Sequence, residues 1–156
     1  MEADMGGHAL ADVNFDFAAA LSLARQFYAM APTVASYQSD RVRLAGTAQA
    51  EWKGRFATVF EGQLRVCGAT AAELDAACKA VANLWAEAWA HAAAQQQNIE
   101  WSRYCQKLDN QRSGLQKAWD SLFGDPTKYP PAPKAPPVPV APDFARTIDP
   151  YSYSPT

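Results

Sequence analysis

The side chains best suited to chemistry in this chain are two histidines, three cysteines and a few closely spaced acids. His8 lies in a polar N-terminal stretch and His91 stands among alanines, and neither has around it the nucleophile and orienting carboxylate that a triad needs. Cys67, Cys78 and Cys105 make an odd count with no Cys-x-x-Cys spacing, which excludes a complete disulfide framework and reads as small apolar residues on helix faces. Glu73 with Asp75 and Glu87 with Glu100 are spaced like members of a solvated helix face rather than an acid and base in a cleft. No glycine-rich phosphate loop or metal-ligand spacing is present. The expectation is a protein that is not an enzyme, with no catalytic, cofactor-binding or metal-binding residues.

Charge narrows the partners. Fourteen Lys and Arg against sixteen Asp and Glu give a formal net charge of −2, and no cationic stripe appears, so nucleic-acid binding is not expected. The N-terminal stretch has acids where a signal peptide needs cations, and the weakly polar run from Val81 to Ala94 is too short to span a bilayer. The expected location is cytoplasmic, with no Sec signal and no transmembrane segment.

The elements that must position these residues follow from proline and glycine. Ten of the eleven prolines lie between Pro126 and Pro155, so helix breakers are almost absent before them. From Phe15 to Ala50 apolar or small residues recur at spacings of four and three: Phe17, Leu21, Ala24, Tyr28, Ala31, Ala35, then Gln38, Val42 and Ala45, with Gln38 the one polar member. That is a helical seam, with Asn14 or Asp16 as its cap and a kink or restart expected at Pro32. A second seam runs through Phe56, Phe60, Leu64, Cys67, Leu74, Cys78, Val81, Trp85, Ala88 and Ala92. Between them Gly54 marks the reversal, because glycine is costly inside a helix and favoured where the chain leaves one with positive φ. A further break is possible at Gly68, where Thr70-Ala71-Ala72-Glu73 has capping-box spacing. Gln95-Gln96-Gln97 is polar but helix-competent, and Gly124-Asp125-Pro126 stops the helical pattern.

The predicted fold is all-α: an antiparallel helical hairpin or elongated bundle over residues 15–124 with its reversal at 52–54, a flexible N-terminus over 1–14, and a disordered proline-rich tail over 125–156. The tail is expected to sample polyproline II conformations rather than pack, and Pro133, Pro136 and Pro139 satisfy a PxxP spacing. One hairpin has too little interior for five tryptophans and seven phenylalanines, so part of the seam should face a partner. The candidates for that interface are Leu74, Val81, Trp85, Ala88, Trp89 and Ala92.

Trp52-Lys53-Gly54 between two long helical seams, followed by Phe60, resembles the WXG superfamily of helical hairpins exported by type VII (ESX-like) secretion systems. The resemblance spans roughly residues 15–94 and makes Trp52, Gly54 and Phe60 the motif residues. It implies a substrate or adaptor that pairs, as a homodimer or with a second helical hairpin, into a four-helix bundle, with a secreted toxin or secretion component as partner and export by a type VII system. The family's Tyr-x-x-x-Asp/Glu export signal is not met: Leu108 stands four residues after Tyr104, and Asp109 one position late. Two rivals are a structural or scaffold bundle that uses the tail as a flexible tether, and a helical accessory subunit of an enzyme.

Overall fold

A computed structural model of the chain describes residues 10–112, 114, 122 and 129–155. The fold is all-α: α1 (Phe17–Gln49) and α2 (Arg55–Gln111) pack as a hairpin, and the described residues contain no strand. The expected helical stretch from 112 to 123 lies for the most part outside the described residues.

α1 runs unbroken for 33 residues through Pro32. A proline there supplies no N–H to the carbonyl four residues earlier, Tyr28. The helix tolerates the loss, and Ala31 beside it is fully buried. At the reversal the Trp52 N–H donates to the Gln49 carbonyl at 3.2 Å, and Gly54 takes φ +89°, the left-handed region that its missing Cβ leaves open. The Gly54 carbonyl then accepts the Thr58 N–H at 3.3 Å, and α2 begins. The break considered at Gly68 does not occur. α2 continues for 57 residues, and Thr70, instead of capping a new helix, donates its hydroxyl back to the Val66 carbonyl at 3.1 Å.

The chain forms two compact bodies. The hairpin body comprises residues 18–88 and 139–145. Its core is built chiefly from small residues, Ala20, Ala24 and Ala31 on α1 and Cys78, Ala82 and Ala86 on α2, with Leu21 among them. Phe144 is its one fully buried ring; it lies edge-on to Tyr28 at 5.8 Å, and the Arg25 guanidinium donates to the carbonyls of Asp143 at 2.7 Å and Phe144 at 3.4 Å. Toward the reversal the core thins. Among the described residues, Ala45 is the only buried position of α1 after Ala31, and α2 buries none before Cys78.

The terminal body comprises described residues 10–17, 89–112, 114, 122, 129–138 and 146–155. Trp89 is fully buried at its centre, with Phe17 edge-on at 6.3 Å and Tyr151 edge-on to Phe17 at 5.6 Å. Ala92, Ala93, Gln96 and Gln97 continue the buried face of α2.

Residues 129–155 contain neither helix nor strand, in line with their proline content. They do not, however, remain unpacked as expected of a linker: Pro136, Pro139, Phe144 and Pro150 are buried, and side chains of α1 and α2 bond their carbonyls. The physical reason is that an extended proline-rich chain keeps every carbonyl unpaired, and each such carbonyl accepts any well-placed donor.

Candidate functional site

The motif residues meet at the reversal. Trp52 packs its ring edge-on to Phe60 at 5.6 Å while remaining 52% exposed, so it braces the turn without being enclosed by it. An open concavity of about 630 Å³ lies there, lined by Trp52, Phe56, Val59, Phe60 and Gln63 among others.

From this end outward α2 carries a stripe that its inner seam does not use. Phe56, Val59, Gln63, Val66 and Thr70 recur at spacings of three and four, with Phe56 86% and Val66 66% exposed. α1 carries a matching stripe, Val34, Tyr37, Arg41, Leu44 and Ala48, with Tyr37 70% exposed. The two stripes border one groove of about 330 Å³, lined by Val34, Tyr37 and Arg41 from α1 and Val66, Thr70 and Leu74 from α2. Side chains at such spacing on adjacent helices form one continuous face.

The expected interface residues separate. Leu74 stands on the groove, 49% exposed; Val81, Trp85 and Ala88 are half-buried; Trp89 and Ala92 are buried within the terminal body. The buried seam of α2 is rotated by about one residue from the expected one, running through Cys78, Ala82, Ala86, Trp89, Ala93 and Gln96. The Trp89 indole N–H is buried with no acceptor among the described residues.

Two glutamines that composition alone marks as polar filler turn out to be heavily bonded side chains of the terminal body. Gln96, fully buried, accepts the Val13 N–H at 2.8 Å and donates to Asp12 at 2.7 Å and Glu100 at 3.0 Å. Arg103 completes the cluster, pairing with Asp12 at 2.7 Å and Glu100 at 2.6 Å and donating to the Leu10 carbonyl. The Gln96 amide, and after it Arg103, hold the Asp12 carboxyl below its usual range. Gln97 donates to three carbonyls of the tail, Asp149 at 2.8 Å, Pro150 at 3.2 Å and Ser152 at 2.7 Å. Spacing does not mark them: the expected seam through Trp85, Ala88 and Ala92 continues at positions 95 and 99, and only the rotated seam brings Gln96 and Gln97 inward, where a buried amide requires partners.

The remaining candidates for chemistry are dispersed. Asp75 pairs with Lys79 at 2.8 Å, Glu100 belongs to the Arg103 cluster, and Glu73, Glu87 and His91 are exposed. Cys78 is buried, and burial followed by the Asp109 charge raises the Cys105 thiol above its ordinary value. Among the described residues no three of His, Cys, Asp and Glu converge as a metal site would require, and no helix is long and apolar enough to cross a membrane. Comparison with family models, with curated proteins and with solved structures finds no match to this chain.

Proposed function

We propose that this protein is a non-enzymatic helical hairpin that pairs with a second hairpin, its own copy or another chain, and serves as a substrate or adaptor of a type VII secretion system. The observation that carries the reading is the outward double stripe beside the reversal. A large apolar or aromatic residue presents roughly 150–250 Å² when exposed, so Tyr37, Leu44, Trp52, Phe56, Val59, Val66 and Leu74 together leave on the order of 800 Å² uncovered. That matches the ~800 Å² that one partner contributes to an interface of standard size. Two antiparallel helices presenting stripes at heptad spacing are the half of a four-helix bundle. The secretion assignment rests on the WXG resemblance at Trp52, Gly54 and Phe60. The tether reading draws less support, because residues 129–155 lie against the helices instead of hanging free.

Light scattering across a concentration series, with and without a co-expressed hairpin from a neighbouring gene, tests the pairing. Doubled mass is expected under at least one condition, and Phe56→Ser with Val66→Ser should return the chain to a monomer of unchanged helical content. A monomer under both conditions would remove the reading.

A further inference from the structure

Within residues 129–155 proline recurs at a fixed interval: Pro130, Pro133, Pro136, Pro139 and Pro142 stand three apart. Three residues make one turn of a polyproline II helix, so in that conformation these rings share one edge. Within the terminal body burial follows the same interval: Pro130 and Pro133 are half-buried and Pro136 buried, whereas residues 131, 132, 134, 135, 137 and 138 are exposed; beyond that body the register is lost, and Pro142 is exposed. The segment is therefore seated by one edge.

Polyproline II has no internal hydrogen bonds, and its carbonyls depend on outside donors. α2 supplies one such donor to the proline run and holds the returning limb from the same face, because positions 97, 101 and 104 are spaced by four and three. The Trp101 indole N–H donates to the Pro130 carbonyl at 2.9 Å. One turn earlier Gln97 holds the returning limb at Asp149, Pro150 and Ser152. One turn later Tyr104 meets Tyr153 edge-on at 5.6 Å, and the Tyr153 hydroxyl ties the two limbs together by donating to the Pro131 carbonyl at 2.9 Å. The donors of α2 all address main-chain carbonyls, so they read the path of the backbone. An indole N–H aimed at a proline carbonyl beside an aromatic ring is the chemistry by which aromatic grooves take polyproline II peptides.

We infer that the face of α2 bearing Gln97, Trp101 and Tyr104 is a receptor site for polyproline II segments, filled in cis by this chain's own tail and open in trans to the tail of a second copy. The second copy is the trans occupant because its tail carries the same proline interval and the same carbonyls that the site already fits. Every bond made in cis is remade in trans, and the balance between them is one of effective concentration. The site is separate in sequence from the outward stripes of α1 and α2, and it stands whether or not the hairpins pair.

The test is fluorescence anisotropy of a labelled peptide of residues 129–155 titrated with the full chain. The attached tail competes at an effective concentration on the order of millimolar, so the unaltered chain should bind the peptide weakly. Replacing Pro130, Pro133 and Pro136 by Ala in the chain's own tail loosens the competitor while leaving α2 intact, and should tighten peptide binding by about tenfold or more. Adding Trp101→Phe, which removes the indole donor, should weaken it again by about fivefold with helical circular dichroism unchanged. A peptide of the same composition with its prolines moved off the three-residue interval should not bind. This last arm leaves the protein untouched, so it decides the matter even if Trp101→Phe loses helix. Equal binding of the shuffled peptide, or no gain on loosening the tail, would overturn the site. A plain polyproline peptide binding as tightly as the tail peptide would overturn the second copy as its occupant.

Discussion

Gly54 holds φ at +89° with nothing within 4 Å of where a Cβ would stand, so a side chain there meets backbone strain and no steric neighbour. Gly54→Ala should therefore destabilise the fold by about 1–2 kcal/mol. Gly62, inside α2 and equally open, provides the opposite sign: Gly62→Ala should stabilise by up to about 1 kcal/mol. Denaturant midpoints of the two variants check both. Asp12 carries a pH dependence. Its folded carboxyl is held low by Gln96 and then Arg103, so the contribution is present above the unfolded carboxylate value of about 4 and is lost as pH falls through the lower folded value. The Val13 amide signal in NMR should stay constant from neutral pH down to about 4 and move below it, and Asp12→Asn should remove most of that movement.

At the scale of the element, the helices and their reversal were legible because prolines are nearly absent before residue 126 and because Gly54 sits between two runs at spacings of four and three. The rotation of the α2 seam was not. Weighing residues by apolar bulk selects Leu74, Val81 and Trp85, whereas the chain buries Ala82, Ala86 and Ala93, since alanine lets two helices approach closely. The tail's three-residue interval stands in the sequence, but it reads as a linker until the donors of Gln97 and Trp101 are known, and those depend on tertiary structure. The unequal core of α2 also makes a prediction. Amides from about 58 to 72, where no side chain is buried, should exchange with solvent faster than those from about 82 to 97. Hydrogen exchange followed by mass spectrometry measures the contrast, and uniform protection along α2 would count against it.

For the whole molecule, the candidate site divides into what a pattern can show and what only packing can. The Trp52, Gly54 and Phe60 motif is visible as residues, and the structure joins Trp52 to Phe60. The outward stripes lie in the same stretches as the inner seams, and spacing alone does not say which of two interleaved series faces inward; burial decides it. If the stripes are covered by a partner hairpin, as proposed, the apolar surface beside the reversal is accounted for without any catalytic role.

Gln96 and Gln97 are consecutive, yet one holds Val13, 83 residues earlier, and the other Asp149, 52 residues later. On a ribosome these partners appear in a strict order. At roughly 5–20 residues per second, Val13 waits about 4–17 s for Gln96 to be made, and Gln97 waits about 3–10 s more for Asp149. Phe17 can meet Trp89 once α2 is made, but the Tyr151 ring that lies edge-on to Phe17 is synthesised only with the second segment. The terminal body is thus the part of the nascent chain whose closure comes latest, and during that interval its aromatic centre is the surface most open to a chaperone.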